Sequence, residues 1–141
     1  MNFTITSPGA IPAGLGANAR GNRFKLNKIA QDWRELWRVL ALNEIRRLGI
    51  DIPLDHVTIQ VTGYFNRGRG SDPRSFLARA GTQRPHDLDN LQSCMKAAID
   101  GLVSAGLVPD DRAEYVSLEQ PRLERVDAWA DERVELRVTV P

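Results

Sequence analysis

Val57-Thr58-Ile59-Gln60-Val61-Thr62-Gly63-Tyr64-Phe65 alternates without a break: Val57, Ile59, Val61, Gly63 and Phe65 on one side, polar residues and Tyr64 on the other. A strand turns successive side chains to opposite faces, so a period of two predicts a strand with one face in a core. Upstream, Leu26, Ile29, Trp33, Leu36, Trp37, Leu40 and Leu48 recur at helical spacing. They predict an amphipathic helix over 26–48, ended by Gly49. Phe3-Thr4-Ile5-Thr6 alternates as a short first strand, and the Gly-, Pro- and Asn-rich stretch from Ser7 to Asn22 reads as irregular. Downstream, Leu91, Met95, Ala98, Ile99 and Leu102 predict a second helix from about Asn90, with Gly101 an interior cost and Gly106 the residue that ends it. Tyr115 to Leu118 reads as a strand, and Arg133 to Val140 alternates again. The order β-α-β-α-β-β predicts an α+β fold: a small mixed sheet with two main helices packed on one face.

With 141 residues, 42% hydrophobic, the chain fits one domain with an ordinary core. No apolar run is long enough for a transmembrane helix, so no membrane partner is expected. The first residues lack the charged and apolar regions of a secretory signal, and the single cysteine, Cys94, can form neither an internal disulfide nor a structural zinc site. A cytoplasmic protein is the expectation. The net charge of +1 conceals an asymmetry. Residues 1–86 carry 13 Lys and Arg against 6 Asp and Glu, a net of +7, whereas residues 87–141 carry 6 against 12, a net of −6. A basic half that holds phosphates beside an acidic half that holds a metal produces this pattern; so does a dipolar surface, or two faces that pair in a homodimer.

The chemistry-bearing residues sit around the second helix. Arg84-Pro85-His86-Asp87-Leu88-Asp89-Asn90-Leu91 precedes it and Pro109-Asp110-Asp111 follows it. If the segment before the helix is extended, Asp87 and Asp89 project to one side, Leu88 points to the core, and Asp89 or Asn90 caps the helix. If the helix forms a hairpin arm, the two acidic pairs meet at one end of the fold. Clustered carboxylates repel unless a divalent cation neutralises them, and hard oxygen ligands favour Mg²⁺ or Mn²⁺. Asp89, Ser93, Lys96 and Asp100 share one helix face, where Lys96 can hold a phosphate or pair with Asp100. Between Asn66 and Arg84 no apolar period exists. Arg67, Arg69, Arg74, Arg79 and Arg84 stand there against Asp72 alone, as candidate contacts to a DNA backbone. Oxygen ligands for a metal beside many arginines suggest phosphodiester chemistry on nucleic acid.

Asp87-Leu88-Asp89-Asn90-Leu91, Lys96-Ala97-Ala98-Ile99-Asp100-Gly101-Leu102 and Ala105-Gly106-Leu107-Val108-Pro109-Asp110-Asp111 together resemble the core motif of the RusA family. These are Holliday-junction-resolving endonucleases, common in phages and prophages. The resemblance spans roughly residues 84–116. It implies that Asp87, Asp89 and Asp111 are metal-binding catalytic carboxylates and that Lys96 is the helix lysine. It also implies a Mg²⁺ requirement, a homodimer, and paired symmetric nicks across a four-way DNA junction. The sequence departs from the family at the lysine, which elsewhere follows the second aspartate by four residues. Here that position is Ser93 and Lys96 follows by seven. The N-terminal Pro- and Asn-containing segment is matched only loosely, by Pro8, Pro12, Asn18 and Asn22.

The competing expectation is a non-catalytic or weakly active branched-DNA-binding protein, motivated by the displaced lysine. Asp110 reads as a turn residue after Pro109. His56 and His86 have no evident partners, and no Ser-His-Asp pattern is present. Trp33 and Trp37, one turn apart, read as core or dimer interface, and Cys94 as a half-buried residue without chemistry. No G-x-x-x-x-G-K-[ST] loop is present, so no nucleotide cofactor is expected.

Overall fold

A computed structural model describes residues 1–9, 21–66 and 88–141; for residues 88–90 and 93 it describes the backbone alone. Among the described residues are five strands, two α-helices and a 3-10 turn: β1 (Asn2–Thr6), α1 (Arg23–Leu48), β2 (Val57–Phe65), α2 (Leu88–Ser104), β3 (Val116–Leu118), β4 (Arg122–Arg125), the turn Trp129–Asp131 and β5 (Arg133–Thr139). The fold is α+β, with a mixed sheet. β5 lies between β1 and β2 and runs antiparallel to both. β3 and β4 both pair in parallel with the far edge of β2. The strands β1, β2, β3 and β4 therefore all point one way, with β5 alone reversed.

The alternation in β2 has the expected consequence. Val57, Ile59, Val61 and Phe65 are buried, and so are Phe3 and Ile5 of β1 and Val134, Leu136 and Val138 of β5. These residues form one cluster with Trp33, Trp37, Ala41 and Ile45 of α1 and with Leu91, Cys94, Met95, Ala98, Ile99 and Leu102 of α2. Both helices thus cover the same face of the sheet. The other face keeps Thr4, Arg133, Glu135, Arg137, Thr62 and Tyr64, and Arg133 stacks over the Tyr64 ring with its guanidinium carbon 3.9 Å from the centroid. Arg133 also donates to Glu135 Oε1 at 2.9 Å.

One strand was missed by the sequence reading. β4 has weak alternation and one half-buried apolar residue, Leu123, beside Gly63. It continues β3 along the same edge of β2 across a bulge. From Leu118 to Arg122 the edge advances four residues while its partner advances three, from Ile59 to Thr62. Pro121 lies in the bulge, where a missing N–H breaks no ladder bond. Helix boundaries also move outward. α1 begins at Arg23 rather than Leu26, because Asn22 Oδ1 accepts the Phe24 N–H at 2.8 Å and so caps the helix. Gly49 and Gly106, both at positive φ, end the helices as expected. At the end of α2, Gly106 N–H donates to Val103 O (2.9 Å) and Leu107 N–H to Leu102 O (3.2 Å).

The helices meet at Gly101. A Cβ there would stand 2.5 Å from Arg34 O and 2.8 Å from Trp37 Cβ, so only glycine permits this approach. The propensity cost seen in the sequence thus serves a close crossing. Trp33 and Trp37 are core residues, edge to face with centroids 5.6 Å apart, and Trp33 Nε1 donates to Cys94 O at 3.3 Å. Cys94 is fully buried rather than half-buried, and burial pushes its thiol up to about 12, which leaves it without nucleophilic chemistry. Among the described residues no helix is long and apolar enough to cross a membrane.

Replacing Gly101 by Ala should force the helices apart and destabilise the protein by about 2–3 kcal/mol, the usual cost of overpacking a core. Urea unfolding measures this; an unchanged midpoint would show that the crossing is not close.

Candidate functional site

The fold has two ends, defined by the parallel strands. The carboxyl end lies beyond Thr6, Phe65 and Arg125, and the amino end lies before Val57 and Val116. Leu91, in the first turns of α2, touches the position of Gly63 near the carboxyl end of β2. The far end of α2 meets the amino end: Leu54 N–H donates to Leu107 O at 2.8 Å, and Val57 N–H donates to Tyr115 O at 2.9 Å. α2 therefore runs antiparallel to β2, and its 17 residues span about 25 Å.

This direction decides where the motif residues go. Asp89 lies in the first turn of α2, at the carboxyl end. Because α2 starts at Leu88, Asp89 and Asn90 are helical, not the extended, capping residues that the spacing suggested. Asp87 lies outside the described residues. Asp111 sits at the opposite end. Tyr115 and Val116 N–H both donate to Arg112 O (2.9 and 3.0 Å), which folds the 109–115 segment into a turn just before β3. The expectation that the two acidic pairs meet at one end within a chain is corrected: the crossover helix that joins β2 to β3 holds Asp89 and Asp111 about its own length apart. Among the described residues no group of three His, Cys, Asp or Glu side chains is close enough to hold a metal ion.

The remaining candidates are placed as follows. Asp111 is exposed, and its backbone N–H donates to Asp110 Oδ1 at 2.7 Å. Asp110 also accepts from Arg112 Nε at 2.9 Å. The Asp111 N–H and the Arg112 guanidinium hold the Asp110 carboxyl below the usual aspartate range. Asp110 is thus the turn residue, as its sequence position suggested, and leaves Asp111 pointing outward. Lys96 is exposed in the middle of α2, seven residues and about 10 Å along the axis from Asp89. Asp100 is half-buried one turn further on. Arg67, Arg69, Arg74, Arg79 and Arg84 all lie outside the described residues, as does His86.

Sequence reasoning missed two groups, one at the carboxyl end and one at the amino end. Asn66 is 8% exposed; its N–H donates to Glu132 Oε2 and its Nδ2 to Asp127 O, both at 3.2 Å. Glu132 and Asp127 come from the β4–β5 connection, distant in sequence, so no local pattern links them to β2. His56, which showed no partner in the sequence, has Nδ1 3.0 Å from Glu114 O and Nε2 2.9 Å from Ser117 Oγ. It ties the chain before β2 to the segment after Asp111, a structural role. Scanned against models of known protein families and against characterised proteins, the chain matches none.

Because Asp110 titrates below its unfolded value, its contribution to stability is present above the ordinary 3.8 and is lost as the pH falls through the lower folded value. Below pH 3.8 the melting temperature of the wild type should therefore fall more steeply than that of Asp110→Asn; superimposable profiles would remove Asp110 from the turn.

Proposed function

We propose that the protein is a Mg²⁺-dependent structure-selective endodeoxyribonuclease that acts on four-way DNA junctions as a homodimer. The observation that carries the reading is the position of Asp89, in the first turn of α2, at the opposite end of that helix from Asp110 and Asp111. In a single chain the set is split. Two copies with antiparallel α2 helices would complete it twice, each site taking Asp87 and Asp89 from one protomer and the partner subunit's Asp111 from the other.

The exposed stripe of α2 supports such a pairing. Lys96 and Asp100 are spaced evenly about Ala98. An antiparallel two-fold on the exposed face at the level of residue 98 sets each Lys96 against the partner's Asp100 and carries Asp89 to the level of the partner's Leu107. A self-complementary charge pattern is what an isologous contact requires. In this reading Lys96 holds the dimer, since about 10 Å separates it from the level of Asp89.

A divalent ion held by the shared carboxylates would acidify a water and stabilise the leaving oxygen of an in-line displacement. The chain's own contribution is at Asp111: Asp110 is tied to the Asp111 N–H and to Arg112, so that Asp111 faces outward. Two sites related by a two-fold axis suit paired symmetric nicks. The arginines of 67–84 would take the backbone of the DNA arms. The second reading, a branched-DNA-binding protein without efficient cleavage, keeps the same surface and dispenses with the metal.

Asp89→Asn should abolish Mg²⁺-dependent nicking of a labelled junction while leaving binding in EDTA intact; wild-type protein that binds but never cuts would establish the second reading. Asp89→Asn and Asp111→Asn, each inactive alone, should recover about a quarter of the activity when mixed, because half the dimers would be mixed and each would hold one intact site. No recovery, together with inactivity of Glu132→Gln, would place the set inside one chain. Lys96→Glu should weaken the dimer by roughly tenfold or more, and Lys96→Glu with Asp100→Lys should restore it, as read by sedimentation.

A further inference from the structure

We infer that the first turn of α1 is a second contact to the same nucleic acid, with Phe24 stacking on an unpaired or splayed base and Arg23 and Lys25 on the flanking phosphates. The inference rests on the nucleic-acid reading above and names what that reading leaves open: the feature of the DNA being recognised.

Phe24 is 85% exposed, far more than any other large hydrophobic residue described. A lone exposed aromatic is usually unremarkable in energy terms, but its neighbours are specific. Arg23 and Lys25 flank it, both exposed and, among the described residues, in no ion pair, while Lys28 on the next turn is paired to Asp32 at 3.2 Å. The first turn of α1 contains no acidic residue. Two cations there oppose the positive end of the helix dipole, so the arrangement costs the isolated helix stability and is relieved by an anionic partner. The backbone amide is not the attraction, because Asn22 Oδ1 already takes the Phe24 N–H. The surface offers a ring between two cations, the combination that binds nucleic acid with unstacked bases.

Position strengthens the argument. α1 and α2 run in the same direction, with Trp33 at Cys94 and Trp37 at Gly101. Phe24 lies thirteen residues before Trp37, and α2 begins thirteen residues before Gly101. The two helices therefore start at about the same level at the same end of the molecule. Phe24 stands level with the start of the helix that carries Asp89, at the end where β1 and β2 also deliver their carboxyl termini. A ring in that place fits the branch of a junction or a single-stranded flap better than the outside of an intact duplex, whose bases are stacked.

The test is binding in EDTA to a four-way junction, a single strand and a linear duplex, each carrying 2-aminopurine, for wild type, Phe24→Ala, Phe24→Trp and Arg23→Ala with Lys25→Ala. Phe24→Ala should lose about tenfold on the junction and the single strand and change little on the duplex, with the melting temperature retained. Phe24→Trp should keep both the affinity and the quenching of 2-aminopurine. The double basic variant should weaken all three DNAs and lower the slope of log affinity against log salt by about two. Equal junction affinity for Phe24→Ala and wild type would overturn this inference alone, and so would a changed oligomeric state in Phe24→Ala, which would make the ring a contact between copies. Wild-type protein that binds none of the three DNAs would overturn the nucleic-acid reading with it.

Discussion

The contact between the backbone of Gly101 and the Arg34–Arg38 turn of α1 fixes how α2 lies on the sheet. With no side chain at 101, the two helices approach until Trp37 Cβ limits them, and ridges of each fill grooves of the other. The Trp33 indole N–H then reaches Cys94 O, and Leu91 settles onto Gly63 of β2. Three separate contacts along α2 thus set its direction and height. Because the helix is a rigid rod about 25 Å long, whatever stands at its two ends is held apart by the same distance. The separation of Asp89 from Asp111 is therefore a property of the packing, not of a particular side-chain rotamer.

A second constraint comes from the reversed strand. β5 inserts between β1 and β2, which frees the right-hand edge of β2 for two short parallel partners instead of one long one. The β3–β4 bulge around Pro121 bends that edge and delivers the chain to Asp127 and Glu132 beside Asn66. The carboxyl end of the sheet thereby brings Asn66 together with Asp127 and Glu132, polar groups from two distant stretches of sequence. Open sheets with crossover helices commonly use this end for ligands, since loops there can vary without disturbing the strands.

The elements with strong periods were legible from sequence: the alternation of Val57–Phe65 and of Arg133–Thr139, and the helical stripes through Trp33–Trp37 and Leu91–Leu102, all became core in the structure. What could not be read was nonlocal. The alternation of 57–65 shows which side chains face inward, but not that a later strand slides in beside it. Gly101 registers locally as a weak helix former; only the presence of Arg34 O at 2.5 Å from its missing Cβ explains it. β4 escaped because four residues with one half-buried leucine carry no usable period. The carboxylate pattern was visible, and its spacing was compatible with a hairpin arm or with a crossover helix. The parallel pairing of β2 with β3 decides between them, and pairing depends on the whole sheet.

That decision changes what the charge asymmetry of the sequence means. A basic N-terminal half and an acidic C-terminal half suggested a phosphate-binding region next to a metal-binding one. In the fold, α1 and α2 begin at the same end, so Arg23 and Lys25 of the basic half stand near the level of Asp89 of the acidic half, while Asp111 is carried to the other end of the domain. The asymmetry along the chain is thus folded into proximity at one end and separation along the helix. On the proposed reading, cations, an exposed ring and Asp89 at one end, with Asp111 at the opposite end, would suit a two-fold assembly on a two-fold substrate. If the carboxylates act together as proposed, the same separation would leave an isolated protomer with an incomplete set and so couple the proposed chemistry to assembly without any moving part.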